Sequence, residues 1–114
     1  MPSRGEIWLV ELYPVRGHEQ AGTRPCLVVS VDSFNSSPAG LALVVPLTSR
    51  QRNIPLHVEI SPPEGGVVVR SFIMCEGVRC VSHDRFRERW GSVTPQTIAQ
   101  VEHRLKLLLG LKNE

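Results

Sequence analysis

Residues 4–15, "RGEIWLVELYPV", are apolar on both sides of an extended chain. Side chains alternate along a strand, so Ile7 and Leu9 share one face with Glu11, while Trp8, Val10 and Leu12 share the other. Ile, Val and Trp favour strands, and a strand apolar on both faces is a central one, flanked by neighbours and covered above and below. Pro14 ends it.

The chain reads outward from this strand as further short strands. Residues 25–30, "PCLVVS", form the second. It is expected to begin at Pro25, because proline can open a strand but not sit in its interior. Residues 32–40, "DSFNSSPAG", read as a loop. Residues 41–50, "LALVVPLTSR", are a third strand with Pro46 at a bulge or an edge. "QRNIP" connects it to "LHVEI", where Leu56, Val58 and Ile60 share a face and His57 is expected to be exposed. "SPPEGG" is a turn, and "VVVRSFIMCEGVRC" is one long bent strand or two short ones broken near Gly77. Ser82 is placed to cap a single helical turn through Phe86, and "RWGSV" reads as a last short strand.

The period then changes. Ile98, Val101, Leu105, Leu108 and Leu109 recur at three- and four-residue steps, the pattern of an amphipathic helix. Thr94 suits the N-cap, Pro95 the first helical position, and Gly110 the C′ position. Leu107 and Leu111 lie off the stripe, which suggests cover on a second side, by another subunit. Many short strands, Gly/Pro turns and one terminal helix predict a mainly β fold with a C-terminal α-helix, built as a small, strongly bent antiparallel barrel.

Composition narrows the function. With 114 residues, 41% of them hydrophobic and 21% charged, the chain is expected to form one ordered domain spanning 1–114. A net charge of +2 permits a nucleic-acid partner without demanding one. Cys26, Cys75 and Cys80 are an odd number, with no leader pattern, so a disulfide framework is not expected; Cys26 and Cys75 read as core residues. No metal site is expected, since His18, His57, His83 and His103 show no paired-ligand spacing. No apolar run reaches the roughly 20 residues needed to cross a bilayer, and a cytoplasmic protein is expected.

The segment "GHEQAGTRPCLVVS", residues 17–30, carries the chemistry. Within seven residues His18, Glu19, Gln20, Thr23 and Arg24 offer an imidazole, a carboxylate, an amide, a hydroxyl and a guanidinium. On composition alone, a solvated loop with an ion pair is the favoured reading. The stretch "PLTSR", residues 46–50, changes the balance. If strands two and three are neighbours, Arg24 and Thr48 come close, and a guanidinium fork beside a hydroxyl suits a phosphate oxygen.

"RGEIWLVEL", "GHEQAGTRPCLVVS" and "VVPLTSR" together resemble the signature blocks of the MazF/PemK (Kid) toxins of bacterial type II toxin–antitoxin systems. The G-x-E-Q-x-G-x-R-P block is the most specific, and the resemblance spans nearly the whole chain. It implies an SH3-like barrel, a homodimer, a MazE-like proteic antitoxin, and cleavage of single-stranded RNA without a metal or other cofactor. It implies catalytic roles for Arg24, Thr48 and Glu19. On this reading His18, Gln20, Ser49, Arg50 and Arg79 hold the RNA. One departure stands out: family members carry a glutamine in an E-Q-x-R context, where this chain has Gly77 between Glu76 and Arg79. Two other functions suit the same fold: a toxin that inhibits a protein target, as gyrase poisons do, and a non-catalytic RNA-binding barrel. Trp8, Phe34, Phe72 and Trp90 are expected in the core rather than as stacking platforms.

Overall fold

The computed structural model describes residues 1–12 and 22–112. Seven antiparallel strands and two helices make up the regular structure of these residues: β1 (Glu6–Glu11), β2 (Thr23–Val28), α1 (Asp32–Asn35), β3 (Leu41–Thr48), β4 (His57–Ile60), β5 (Ser71–Met74), β6 (Arg79–Ser82), β7 (Phe86–Ser92) and α2 (Pro95–Leu109). Short 3₁₀ turns at Glu64–Gly66, Cys75–Gly77 and His83–Arg85 join the later strands. The strands run β4-β5-β3-β2-β1-β7, with β6 also paired to β3, and the sheet is not closed. Mainly β with a C-terminal helix is the expected class; the expected barrel is an open one.

β1 is central, paired to β2 on one side and β7 on the other. Alternation explains its two apolar faces. Ile7 stands opposite Leu27 and joins a core with Val45, Leu47, Ile73 and Val101 of α2. Val10 belongs to a second core with Cys26, Val28, Val44 and Val81, against which Trp8 and Phe86 pack edge to face at 5.7 Å. A strand buried on both faces is the unit that the sequence pattern predicted.

Three local expectations need correction. β2 begins at Thr23, so Pro25 lies inside the strand, opposite Leu9. It is tolerated because β3 joins β2 only from Cys26 onward, which leaves Pro25 with one neighbouring strand. Residues 32–40 are not all loop. α1 forms there, and its buried Asn35 donates from Nδ2 to the Ser30 carbonyl at 2.9 Å and accepts from the Ser30 hydroxyl. His57 is not exposed: its side chain is 4% accessible, and its Nε2 meets Glu76 Oε2 at 2.7 Å. A carboxylate only accepts, so Nε2 carries the proton and Nδ1 is left buried with no partner among the described residues.

β3 changes partner along its length. Residues 41–44 pair with β6 and residues 47–48 with β5. Pro46 falls in the gap between them, while its other side faces Cys26 of β2. A residue with no N–H is suited to that gap. The Cys75–Gly77 turn bends around the Pro46 ring, and a Cβ at residue 77 would stand 2.9 Å from Pro46 Cγ. The close approach gives a structural reason for glycine at this position.

α2 follows the predicted boundaries. Thr94 accepts from the Thr97 N–H at 3.2 Å, Pro95 opens the helix, and Gly110 adopts φ 69°. Glu64 reinforces the start by accepting from Thr94 N at 3.0 Å and from both threonine hydroxyls. Val101 is buried, whereas Leu107, Leu108, Leu109 and Leu111 are exposed. No helix among the described residues is long and apolar enough to cross a membrane.

Candidate functional site: a cationic groove where two strands part

The β2–β3 ladder pairs Cys26 with Pro46, Leu27 with Val45 and Val28 with Val44. Carried two residues past its end, the same register sets Arg24 opposite Thr48. Their side chains leave the same face of the sheet, since both lie an even number of residues from the Cys26–Pro46 pair. The ladder stops before them, and a groove of about 630 Å³ opens where the two strands separate. Both residues are half-buried, supported by strand on one side and open to the groove on the other.

Thr48, Ser49 and Arg50 line the groove together with Arg24. Thr48 Oγ1 accepts from the Arg50 N–H at 3.2 Å. That bond occupies a lone pair and leaves the hydroxyl proton for a further acceptor. Arg52 also lines the groove. The loop that carries Arg50 and Arg52 is braced from β5's entry: Arg70 Nη2 donates to Gln51 Oε1 at 2.6 Å, and Gln51 Nε2 donates to Asn53 Oδ1 at 3.1 Å. Arg70 itself lies 5.4 Å above the Phe72 ring and 3.5 Å from Glu59.

Three arginines and no acid are among the described lining residues. The site therefore suits an anion, and Arg24 and Thr48 together suit a phosphoryl oxygen. Arg79 is not a lining residue. It stands on β6 opposite Val44, and by strand alternation it shares the face of Arg24. Both charges reach the thiol of Cys26 beneath them; burial pushes that thiol up to about 12, with Arg79 and Arg24 pulling it back. Arg79 thus flanks the groove instead of lining it. His18, Glu19 and Gln20 lie outside the described residues.

The sequence reading missed the apolar part of the lining. Trp90, expected in the core, borders the groove, as do Val67, Val68 and Val69. Val68 and Val69 are exposed. Only Arg52 had a visible signal, as a second arginine after the third strand.

Known proteins of similar sequence and fold belong to one family. The family model of PemK-like, MazF-like toxins of type II toxin–antitoxin systems matches residues 3–109. Endoribonuclease MazF9 of Mycobacterium tuberculosis is 36% identical over 116 residues, covering 97% of this chain and 98% of that protein. The crystal structure of MazF from Deinococcus radiodurans superposes with a TM-score of 0.86 at 30% identity, covering 96% of this chain and 97% of that one. A mycobacterial endoribonuclease in complex with its cognate antitoxin gives 0.81 at 25% identity, with both chains fully covered. Sequence and fold agree over almost the full length: the chain belongs to the PemK-like, MazF-like toxin family of type II toxin–antitoxin systems.

Proposed function

We propose that this chain, as one toxin domain over 1–114, is an endoribonuclease that cuts single-stranded RNA in the groove between β2 and β3, without a metal. The observation that carries the reading is the register of Arg24 opposite Thr48 at the mouth of a groove whose described lining residues include two further arginines and no acid. The named activity of its relatives supports it.

The reaction uses the substrate's own nucleophile. The 2′-oxygen attacks the neighbouring phosphorus, the P–O5′ bond breaks, and the products carry a 2′,3′-cyclic phosphate and a 5′-OH. Arg24 holds the non-bridging oxygens as they gain charge, and Thr48 donates a hydrogen bond from its hydroxyl to one of them. Losing one such donor typically costs about 10²–10³ in rate. A guanidinium keeps its proton in water near neutral pH, so Arg24 is assigned the role of a charge. Glu19 and His18 are the chemically suited groups to take the 2′ proton and to supply one to the leaving oxygen. Ser49, Arg50, Gln20 and, from the flank, Arg79 hold the adjoining phosphates and bases.

The partners follow from the same reading. A MazE-like antitoxin binds over the groove; that a mycobacterial endoribonuclease of this fold forms a complex with its cognate antitoxin supports such a partner. The exposed leucines at the end of α2 support a homodimer. The site of action is the cytoplasm, where messenger RNA is found.

The test is cleavage of single-stranded RNA in EDTA, with Arg24→Ala and with RNA carrying 2′-deoxy at the cut. Cleavage by wild type that either change abolishes supports the assignment. Full-rate cleavage by Arg24→Ala overturns the site, and binding without cleavage overturns the enzyme.

A further inference from the structure

The arginines account for one part of the groove, and the apolar part calls for a different ligand group. Val67 is buried in the core, but Val68 is 83% and Val69 53% exposed, and all three line the groove with Trp90. Backbone packing fixes this arrangement. The Glu64–Gly66 turn lies flat against β7. A Cβ on Gly66 would stand 2.2 Å from the Trp90 carbonyl oxygen, and one on Gly91 2.9 Å from the Gly65 carbonyl carbon. Only glycine permits that approach, and it delivers Val67–Val69 directly beside Trp90. Trp90 is held at both ends: its body packs on the core, and its Nε1 donates to Glu88 Oε1 at 3.2 Å. The ring is thus a fixed apolar surface at the rim of a cationic groove.

We infer that Trp90, with Val68 and Val69, forms a subsite that holds one unpaired nucleobase of the RNA while Arg24 and Arg50 hold its phosphates. The inference rests on the RNA-cleaving reading of the groove. Charge complementarity selects the occupant. A flat, uncharged ring linked to anionic phosphates matches an indole beside three arginines with no acid among the described lining residues. Stacking of this kind is tolerant of base identity, so Trp90 contributes affinity and places the strand. The subsite acts through binding and leaves the chemistry to Arg24 and Thr48.

The test first maps the cut site in total messenger RNA with the wild type. A short RNA spanning that site, 2′-deoxy at the cut, then serves as an uncleaved ligand. Binding is measured by fluorescence anisotropy for wild type, Trp90→Ala and Trp90→Phe, with RNAs made abasic at each position in turn. Trp90→Ala should weaken binding about 5- to 100-fold. Trp90→Phe should retain most of the affinity. At one abasic position the difference between wild type and Trp90→Ala should vanish, because the partner of the ring is gone. Val68→Ser with Val69→Ser should weaken the same RNA and lose its effect at the same position.

Unchanged binding by Trp90→Ala overturns the inference. So does an equal loss for every abasic RNA, which marks a structural effect of the substitution. Failure of the parent reading looks different: the wild type then cuts no RNA and no site can be mapped, and the subsite falls with it. If Trp90→Ala weakens only an antitoxin peptide and no RNA, the apolar surface belongs to a protein partner and the inference is wrong.

Discussion

Adding one carbon at residue 77 tests the turn that shapes the far end of β3. An ideal Cβ there would lie 2.9 Å from Cγ and 3.0 Å from Cδ of Pro46. Carbon atoms rest at about 3.5–4.0 Å, and Pro46 is buried with its strand pinned opposite Cys26. Overpacking of this kind costs about 1–3 kcal/mol. An opposing effect is smaller. Gly77 is not among the residues with positive φ, so alanine meets no backbone strain. Its stiffer unfolded chain stabilises by about 0.4–1 kcal/mol. At the centre of both ranges Gly77→Ala should therefore destabilise by about 1.3 kcal/mol, which moves a urea midpoint down by roughly 0.4–1.3 M. Pro46→Ala removes the ring. In that background Gly77→Ala should be neutral or stabilising, giving a coupling of about 1–3 kcal/mol in the double-mutant cycle. The assay is urea unfolding followed by circular dichroism, at one protein concentration because association would shift every midpoint. A Gly77→Ala protein as stable as wild type, or the same effect in both backgrounds, would refute the steric account.

Other consequences are more direct. Burial pushes Cys26 up to about 12 and Cys75 up to about 11, while Cys80 is exposed. Iodoacetamide at pH 8 should label Cys80 in the native protein and the other two only in denaturant; peptide mapping that finds Cys26 labelled as fast would contradict this. Burial alone would raise Glu6, but hydrogen bonds from Trp8 Nε1, Arg89 Nε and Ser3 N bring it below the usual value. A depressed carboxyl stabilises above its unfolded pKa of about 4.3 and loses that contribution as pH falls through the folded value. The stability gap between wild type and Glu6→Gln should thus shrink on acidification from pH 7 to pH 3; a gap that widens would reverse the sign. Thr94→Ala removes the cap of α2 and should cost about 1 kcal/mol by urea unfolding, whereas Gln96→Ala on the exposed first turn should cost much less.

What the sequence revealed and what it hid divide along a physical line. The helix was legible to the residue, because Thr94, Pro95 and Gly110 act through their own backbone and need no distant partner. β1 was legible as central, because burial on both faces writes itself into every position of the strand. Pro25 and His57 misled for the same reason as each other. Whether a proline fits depends on where the neighbouring strand ends, and whether a strand residue is exposed depends on what packs over it. β3 joins β2 only at Cys26, and the Cys75–Gly77 turn brings Glu76 onto His57. Neither fact is local. Trp90 failed likewise: one indole serves the core with its body and borders the groove as well.

The site owes its existence to the end of a ladder. Had β2 and β3 stayed paired to their tips, Arg24 and Thr48 would sit side by side in a continuous sheet, with no opening between the strands. β3 instead hands its outer edge from β6 to β5 at Pro46, and two residues later it has left β2. The parity of the strands keeps Arg24 and Thr48 on one face across the widening gap. On the proposed reading, a phosphate enters between the Arg24 cation and the Thr48 hydroxyl, each anchored in its own strand. The proline that gives no N–H to the ladder and the glycine that lets the turn close over it are therefore part of the groove's design as well as the fold's. Gly77 lines no part of the groove; it bears on it only through Pro46, whose strand carries Thr48 two residues later.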